Sequence, residues 1–570
     1  MLICGIKASH DGGVAVIADD RLLFSTEMEK LGNGPRYSAL DDLDRVTAVL
    51  AAEGISPSDV DRFVVDGWWT AGADGATAVL TRRAGAPFDL PVAPYLDGPR
   101  GLLRPHEFDA HDFGGRTPGY VSYHHVANHV LGAYCSSPFA ERGEDSLVLV
   151  WDGGMVPRLY HVGGRARTVT AIAPVLPVTG NSFADFSARF EPFRRDTDDL
   201  SPDEAVRHHL SIAGKAMAYA ALGRVEEAAF AVFDEILTGL PGIGQENARV
   251  LAEKVAVNRD HLVPGLTDAD LIATFQAYLG DRLLAGLTAL MRRRFPGQRP
   301  HLALAGGCAL NIKWNSALRA SGLFDGIWVP PFPNDAGAAI GTASCEMFRA
   351  GGHTALRWGV YSGPRLVAGD VPDGWRVRPC DERELAALLH REGEPVVVLS
   401  GRAEIGPRAL GNRSILAPAT DPGTKDRLNA IKDRAAYRPV APICLTSRSE
   451  EVFTPGGADP YMLFEHHVRP EWVERIPAVL HLDGSARLQT IDPSADSATG
   501  RILAAYAELS GIPVLCNTSA NLNGRGFFPD VASAARWGGT RHIWSEGLLY
   551  TNPRSSAHSD DHDRFGPSHR

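Results

Sequence analysis

Two histidines four residues apart, His125 and His129, are the first candidates for chemistry in this sequence. They lie in a stretch with helical spacing, and an i,i+4 pair places both imidazoles on one face of a helix, where they can share a metal ion. No glutamate follows the first histidine, which excludes the H-E-x-x-H metalloprotease motif. Asp152 and Asp335 follow apolar strands and could complete a shell of two nitrogen and two oxygen atoms. Such a shell suits Fe(II), Zn or Mn. The alternative is polar or core histidines without a metal.

Glycine pairs after apolar strands form a second kind of candidate site. Because glycine has no Cβ, the backbone amides of such loops can approach a phosphate or an adenine. Gly214 and Lys215, inside a helical region, could mark a helix break that faces a nucleotide, although a plain kink beside a solvated lysine fits equally well. The absence of a Walker A motif and of a complete G-x-G-x-x-G disfavours P-loop and classical dinucleotide-binding folds. The pairs are Gly12-Gly13, Gly153-Gly154 and Gly306-Gly307.

Arginines are concentrated in the C-terminal part of the chain. Arg402, Arg408 and Arg413 lie within twelve residues, whereas a surface helix would more often intersperse matching carboxylates. Guanidinium groups bind phosphate and carboxylate oxygens through paired hydrogen bonds, so this segment is a candidate clamp for phosphates or a carbamoyl-type acid. Together with later residues it predicts a pocket for an anion and a nucleotide. These later residues are Lys432, Arg438, Arg487, Asn517, Ser519 and Asn521.

The elements that must position these residues form repeated units. The chain opens with a strand at 2–7, a loop A-S-H-D-G-G and a hairpin, and a similar unit with a D-G-G loop begins at 147–151. Two such units about 140 residues apart suggest a duplicated α/β domain, although D-G-G is also a common turn signal. Further helices and a strand-loop-helix unit are predicted at 123–134, 201–222, 271–295 and 301–318.

The sequence changes character between residues 356 and 389, where polar stretches that contain glycine and proline precede a buried strand at 395–399. We therefore expect an α/β protein with an N-terminal domain, a linker, a C-terminal α/β domain and a polar tail. The predicted bounds are 1–355, 356–389, 390–552 and 553–570.

Composition excludes several other classes of protein. The 570 residues are 44% hydrophobic and 22% charged, as in globular proteins, and the net charge of −11 provides no global positive field for nucleic acid. No apolar run approaches the roughly 20 residues of a membrane-spanning helix, and polar residues interrupt the N-terminal stretch where a signal peptide would be apolar. Seven cysteines without a C-x-x-C pair argue against a disulfide framework. We expect a cytoplasmic protein without membrane or nucleic-acid partners, which could form a homo-oligomer.

Taken together, the motifs resemble two known types of domain. The D-G-G units, G-K-A-M, A-G-G-C-A-L-N and P-N-D-A-G look like the nucleotide motifs of the actin, Hsp70 and sugar-kinase fold, and the H-x-x-x-H pair is similar to its Kae1-like branch. The C-terminal segments, with their S-A-N triplet, resemble the YrdC-like module of NodU/CmcH-type O-carbamoyltransferases. This resemblance covers nearly the whole chain except the tail.

The resemblance implies a reaction in two steps. Carbamoyl phosphate and ATP would give carbamoyladenylate and pyrophosphate in the YrdC-like domain, and the Kae1-like domain would transfer the carbamoyl group to an acceptor hydroxyl. It also implies Mg²⁺ with ATP and one divalent metal, with Fe(II) expected. The metal would be held by His125, His129 and Asp335, and by Asp152 either directly or through water.

The resemblance also assigns individual roles. His10 would be the base that activates the acceptor hydroxyl, since an imidazole titrates near neutral pH. The other catalytic groups would be Lys432, Arg487 and Ser519, with Lys432 and Arg487 serving the formation of carbamoyladenylate. Phosphates and carbamoyl phosphate would be bound by Arg402, Arg408, Arg413, Arg438 and Asn517. The nucleotide would be bound by Gly12, Gly13, Gly153, Gly214, Lys215, Gly306, Gly307, Asn311 and Asn521.

The expected acceptor is a small molecule. Among members of the family, the chain looks most like those that carbamoylate aminoglycosides of the tobramycin or kanamycin type, which implies a role in antibiotic biosynthesis. One alternative is a tRNA threonylcarbamoyl-type modification enzyme, against which the acidic net charge counts. The other is a non-enzymatic nucleotide-dependent chaperone or sensor with an actin-like core.

Overall fold

The computed structural model describes residues 1–69, 77–97, 101–196, 199–240, 242, 244, 246–493 and 497–553. Apart from residue 553, the predicted polar tail lies outside the described residues. No helix in these ranges is long and apolar enough to cross a membrane.

The first unit is a mixed sheet with helices on its faces. Its strands lie in the order β3-β2-β1-β4-β8-β7, in which β1 is antiparallel to β2 and parallel to β4. The elements are β1 (Leu2–Lys7), β2 (Gly13–Ala18), β3 (Arg21–Glu27), α1 (Asp44–Ala52), β4 (Arg62–Asp66), the hairpin β5 (Ala78–Arg83) and β6 (Ala86–Pro91), β7 (His106–Phe108), β8 (Tyr120–Tyr123), α2 (His125–Cys135) and α3 (Pro138–Glu141).

The second unit repeats this plan with an insertion of helices. Its sheet has the order β11-β10-β9-β12-β13, again with two antiparallel pairs followed by two parallel pairs. The elements are β9 (Ser146–Val150), β10 (Arg158–Gly163), β11 (Thr168–Pro174), α4 (Ser182–Ser187), α5 (Pro202–Tyr219), α6 (Ala229–Thr238), α7 (Asn247–Val257), α8 (Arg259–Leu262), α9 (Asp268–Arg294), β12 (His301–Ala305), α10 (Ile312–Ala320), β13 (Ile327–Trp328) and α11 (Ala338–Glu346). The shared order agrees with the predicted duplication.

Helices α2 and α11 pack against each other between the two sheets. Apolar side chains such as Val126, Val130 and Ile340 fill this layer and are fully buried. Close approach of the helices depends on Gly341, because a Cβ there would lie 2.3 Å from the backbone oxygen of Asn128. This packing sets the start of α2 beside the start of α11, which is where the candidate site lies.

The C-terminal domain is built on an eight-stranded sheet in the order β14-β24-β23-β15-β16-β22-β17-β21. Its core includes buried aliphatic strands such as 396–399. The elements are β14 (Arg376–Pro379), α12 (Glu382–Glu392), β15 (Val396–Leu399), β16 (Arg413–Pro418), α13 (Gly423–Ile431), β17 (Ala441–Leu445), α14 (Ser449–Val452), β18 (Phe453–Thr454), β19 (His466–Val468), β20 (Ser485–Ala486), β21 (Gln489–Ile491), α15 (Ala498–Ser510), β22 (Val514–Ser519), α16 (Val531–Trp537), β23 (His542–Ser545) and β24 (Leu548–Thr551).

The predicted boundary at residue 390 is too late. Strand β14 at Arg376–Pro379 pairs with β24 at the other end of the domain, so the sheet already includes residues that the sequence assigned to a linker. Helix α12, which begins at Glu382, packs on α15 of the same domain. The linker therefore ends before Arg376.

The two domains are joined by buried polar contacts. Lys30 donates to Glu27 Oε1 at 2.7 Å and to the backbone oxygens of Glu404 and Gly406 at 2.6 and 2.8 Å. The amide of Gly406 donates to the same Glu27 oxygen at 2.8 Å. Because these groups are buried, their hydrogen bonds fix how the C-terminal domain sits on the segment that follows β3.

Candidate functional site

Three segments bring the four predicted metal ligands together. His125 and His129 lie in the first turns of α2, Asp152 follows β9, and Asp335 begins the short helical turn that precedes α11. All four side chains are buried, and one ligand atom from each lies within 4.8 Å of the others. The tertiary fold thus assembles the group that the sequence predicted.

The distances within this group fit one metal ion. His125 Nε2 lies 3.2 Å from His129 Nε2, 3.4 Å from Asp335 Oδ1 and 3.7 Å from Asp152 Oδ2. His129 Nε2 lies 3.4 and 3.7 Å from the same two carboxylate oxygens. In a tetrahedral site with bonds of about 2.1 Å, ligand atoms stand about 3.4 Å apart. The donor set of two imidazoles and two carboxylates suits Fe(II), Zn or Mn.

A second layer of side chains orients these ligands. Asp66, at the end of β4, accepts a hydrogen bond from His125 Nδ1 at 2.7 Å, which leaves Nε2 directed at the other ligands. Lys7 bridges Asp66 and Asp335 at 2.8 and 2.9 Å. Tyr95 donates to Asp152 Oδ2 at 2.5 Å. Sequence analysis missed Lys7, Asp66 and Tyr95, although Asp66 carries the same signal as Asp152, an aspartate where an apolar strand ends.

Electrostatics keep both carboxylates ionised. Burial raises the pKa of Asp335, but the charges of Lys7 and His125 outweigh burial and hold that pKa well below its usual value. The pKa of Asp152 also lies well below its usual value, because His129 and His125 together outweigh burial and the charge of Asp335. Carboxylates bind metals in the deprotonated form, which this environment favours. The same carboxylates raise the pKa of His125 and His129 against the effect of burial, so each imidazole must lose a proton before it can bind a metal.

His10 lies beside this cluster. Its Nδ1 is 3.0 Å from Asp11 Oδ2 and 3.7 Å from Asp335 Oδ2. Its ring meets Trp68 edge-on, with the centroids 5.1 Å apart. The contact with Asp11 occupies Nδ1 and leaves Nε2 able to accept a proton.

The predicted nucleotide glycines divide into two groups. Gly307 donates its amide to Asp152 Oδ1 at 2.8 Å, and Gly306, with a φ of 87°, needs glycine because a Cβ would lie 2.3 Å from the oxygen of Trp151. Gly153 follows Asp152, and its backbone oxygen accepts from the amide of Asn181 at 2.9 Å. Gly12 directly precedes β2, which begins at Gly13. The second group is Gly214 alone, which lies inside a helix and not in a loop.

Helix α5 runs through Gly214 without interruption, so the predicted helix break is wrong. Gly214 is exposed and no heavy atom lies within 4 Å of the place where a Cβ would be. Lys215 donates to Ser211 at 2.9 Å, and burial and the charge of Arg438 lower its pKa. The side chain of Asn311 caps α10 by accepting from two backbone amides, which gives it a structural role.

A second cluster lies where the C-terminal domain meets the N-terminal one. Burial, followed by the charges of Arg487, Arg36 and Arg438, holds the pKa of Arg408 well below its usual value. Burial and the charge of Arg438 likewise lower the pKa of Arg487 to about 10. The Nε atoms of Arg408 and Arg487 are buried and have no hydrogen-bond partner. We call the following residues the cationic cluster: Arg36, Lys215, Arg408, Lys432, Arg434, Arg438 and Arg487.

Arg36 reaches this cluster from the N-terminal domain, and sequence analysis missed it. Its amide donates to the oxygen of Gly524 at 2.9 Å, and the amide of Gly526 donates to Gly34 at 2.9 Å. A Cβ at Gly526 would lie 1.9 Å from the oxygen of Glu29, so this crossing of two chain segments needs glycine. No local signal in the sequence marks a loop arginine that acts on a distant domain.

Two of the predicted phosphate ligands are engaged elsewhere. Arg402 forms a bidentate ion pair with Glu53 at 2.6 and 3.0 Å. Arg413 donates to the backbone oxygens of Ser400 and Gly401 at 2.6 and 3.0 Å. Because their guanidinium groups already have partners in the protein, neither residue belongs to the cationic cluster. Their role in binding phosphate stays a prediction.

The loop that contains S-A-N borders the cationic cluster. Lys432 donates to the backbone oxygens of Ser519 and Asn521 at 2.7 and 2.5 Å and also to the side chain of Asn521. These three acceptors use all the donors of an ammonium group, so Lys432 holds this loop in place. Asn517 donates to Gln489 at 2.7 Å, and its own Oδ1 is buried without a partner.

Both halves of the chain match a known protein family. Residues 2–88 and 115–344 match the family described as Carbamoyltransferase N-terminus, and residues 386–543 match Carbamoyltransferase C-terminus. Nodulation protein U of Sinorhizobium fredii is 46% identical over 98% of this chain and 100% of its own length. The 3'-hydroxymethylcephem-O-carbamoyltransferase of Streptomyces clavuligerus is 33% identical over 95% of this chain and 97% of its own length.

Among solved structures, the activator of 2-hydroxyisocaproyl-CoA dehydratase from Clostridium difficile covers 62% of this chain and 96% of its own length. Its identity of 13% and TM-score of 0.32 are too low to carry an argument about function. The family matches span both sites and most of the chain, and they name the transfer of a carbamoyl group. The chain is therefore an enzyme of the NodU/CmcH-type carbamoyltransferase family.

Proposed function

We propose that this protein is an ATP-dependent O-carbamoyltransferase that activates a carbamoyl group at the cationic cluster and transfers it beside the metal-ligand cluster. The observation that carries the proposal is a set of half-buried cations around the buried Lys432. Another cation is the strongest charged neighbour of Arg408, Lys432, Arg434 and Arg487. Such a set is costly by itself and is stabilised when a polyanion binds. The two anionic reactants, carbamoyl phosphate and ATP, supply that charge. The C-terminal domain is then the YrdC-like activating module.

Activation proceeds through carbamate. Water displaces inorganic phosphate from carbamoyl phosphate, and a carbamate oxygen attacks the α-phosphorus of ATP and breaks its bond to the β-phosphate oxygen. The products are carbamoyladenylate and pyrophosphate. Arg408 and Arg487 neutralise the phosphates during this step, and Lys432 holds the loop of Ser519. The unpartnered Oδ1 of Asn517 can accept a hydrogen bond from the carbamoyl NH₂ group.

Transfer needs a base and a good leaving group. The acceptor hydroxyl loses its proton to Nε2 of His10, its oxygen attacks the carbamoyl carbon, and the bond from that carbon to AMP breaks. His125, His129, Asp152 and Asp335 would hold a divalent metal, for which we propose Fe(II). When bound, the metal supplies positive charge that stabilises the departing phosphate of AMP. Asp11 holds the His10 ring, and Lys7 with Asp66 holds the ligands.

We propose a sugar-containing antibiotic as acceptor, of the aminoglycoside class that includes tobramycin and kanamycin. The relative from Streptomyces clavuligerus has a small alcohol, 3'-hydroxymethylcephem, in its name. The net charge of −11 favours the approach of a polycationic acceptor.

The activating step is tested without an acceptor. We expect Arg487→Ala to lower pyrophosphate release from ATP and carbamoyl phosphate about a hundredfold or more, because one cation of a preorganised site is removed. Arg383→Ala, a change of the same type at a side chain that is 82% exposed, should leave the rate unchanged. Equal rates in wild type and Arg487→Ala would contradict the assignment of this site.

The complete reaction is tested by mass spectrometry. With ATP, carbamoyl phosphate and kanamycin or tobramycin, we expect the acceptor to gain the mass of one carbamoyl group. Omission of carbamoyl phosphate is the control. An unchanged aminoglycoside, together with a carbamoylated hydroxymethyl cephem, would contradict the proposed acceptor and leave the reaction type in place.

A further inference from the structure

A stack of aromatic rings runs outward from the metal-ligand cluster. The rings of His125 and Tyr95 have centroids 4.3 Å apart with 33° between their planes. On the other side of Tyr95 lies Trp69, with a centroid distance of 4.1 Å and an angle of 20°. Among the described residues, Trp69 is the outer end of the stack, and its side chain is 44% exposed. Trp69 therefore presents a large aromatic ring at the surface, and the stack that it belongs to begins at the metal-ligand cluster.

The end of strand β4 sets the place of Trp69. Gly67 follows the buried Asp66, and a Cβ there would lie 2.7 Å from the oxygen of Ala93 and from the amide of His125. The amide of Trp68 donates to the same Ala93 oxygen at 3.0 Å. The chain is therefore pressed against the start of α2 directly before Trp69. The direction in which β4 ends is fixed by packing at the site itself.

Trp68 connects Tyr95, the middle ring of the stack, to the proposed base. Its ring centroid lies 5.1 Å from that of His10 and 5.7 Å from that of His125, and Lys7 Nζ lies 4.3 Å above it. Trp68 also meets Tyr95 edge-on at 6.1 Å. The base, the metal ligands and the exposed tryptophan thus border one continuous aromatic wall. A molecule that presents a hydroxyl to His10 would extend along this wall.

We propose that Trp69 forms an outer subsite for the acceptor, where a sugar ring next to the reacting hydroxyl stacks on the exposed indole face. This inference rests on the proposed function. A pyranose ring has a face of C–H groups and a rim of hydroxyls, so an aromatic platform can bury the face while the rim stays in water. Indole offers a large contact area with little loss of side-chain entropy. Trp69 would select the acceptor and take no part in activation.

Calorimetric titration tests the subsite without turnover. We expect wild type to bind both kanamycin and the neutral trisaccharide cellotriose. Trp69→Ala should raise the Kd for each about tenfold, as expected for the loss of one aromatic contact. Trp69→Phe should restore most of the affinity. Leu80→Ala, at another exposed apolar side chain of the same domain, should bind as wild type does.

Three results would overturn the subsite. The first is an unchanged Kd in Trp69→Ala, and the second is a wild-type protein that binds neither kanamycin nor cellotriose. The third is a wild-type protein that binds kanamycin but not cellotriose, which would show that it recognises ammonium charge and not the face of a sugar. A carbamoylation assay separates this proposal from the proposed function. A Kd that depends on Trp69 in a protein that makes no carbamoylated product would contradict the proposed function alone. Product formation with an acceptor KM unchanged by Trp69→Ala would contradict the subsite alone.

Discussion

At the scale of single residues, His10 separates the two half-reactions. Its Nδ1 is 3.0 Å from Asp11, so the other nitrogen is available for the hydroxyl proton. We expect His10→Asn to keep pyrophosphate release and to lower carbamoylated product at least about a hundredfold, because the general base is lost. Both products are measured in one reaction, with the exposed His467→Asn as control. An equal loss of pyrophosphate release and of carbamoylated product would indicate one shared catalytic centre. An undiminished amount of carbamoylated product would show that His10 is not the general base.

The histidine pair provides a second test at this scale. We expect the double change His125→Ala and His129→Ala to abolish stoichiometric metal, since two of four ligand atoms disappear together, and to impair transfer. Elemental analysis of the purified proteins measures the metal. Lys7→Met should weaken metal binding less, because it removes a contact to Asp66 and Asp335 and no ligand. Equal metal in wild type and the double variant would show that the ion, if bound, lies elsewhere.

At the scale of elements, the contact between the end of β4 and the start of α2 positions both the metal ligand His125 and the aromatic wall. A methyl group at Gly67 would lie 2.7 Å from backbone atoms of residues 93, 123 and 125. We expect Gly67→Ala to lower the free energy of unfolding by about 1 to 3 kcal/mol through overpacking and to lower metal content. Urea unfolding and elemental analysis measure the two effects. Gly359→Ala, where no atom lies within 4 Å, is the matched control, and wild-type behaviour of Gly67→Ala would contradict the packing argument.

At the scale of the whole molecule, Glu27 makes the free energy of unfolding dependent on pH. Burial raises its pKa to about 7, although Lys30 and the amide of Gly406 act in the opposite direction. The folded state thus binds this proton more tightly than the unfolded state does. The stabilisation is fully present below about pH 4.5 and is lost as pH rises through about 7, with a limit of about 3 kcal/mol.

Replacement of Glu27 tests this linkage. We expect Glu27→Gln to flatten the decline in the free energy of unfolding between pH 5 and 7, because a glutamine side chain has no proton to lose in this range. Denaturant titrations at several pH values measure it, with Glu508→Gln, at a side chain 70% exposed, as control. The same pH dependence in wild type and Glu27→Gln would assign the effect to other groups.

Sequence alone determined the features that depend on local pattern. The i,i+4 spacing of His125 and His129 holds in any helix, and Asp152 is recognisable because it directly follows an apolar strand. The two D-G-G units predicted the duplication, which the matching strand orders of the two sheets bear out. Strands and helices came close to their observed bounds for the same reason, since periodicity is a property of neighbouring residues. The expectation from composition that neither nucleic acid nor a membrane is a partner stays a prediction.

Only the tertiary structure decided which charged side chains have partners. Arg402 and Arg408 lie six residues apart in one segment, yet one is neutralised by Glu53 from the N-terminal domain and the other is surrounded by arginines. Arg36 joins the same cluster from a loop about 370 residues earlier in the chain. All four residues of strand β14 are exposed, yet the strand pairs with β24 near the other end of its domain. In each case the contact that sets the environment of the side chain or strand joins segments that are far apart in the chain. Local periodicity describes only neighbouring residues and therefore cannot predict such contacts.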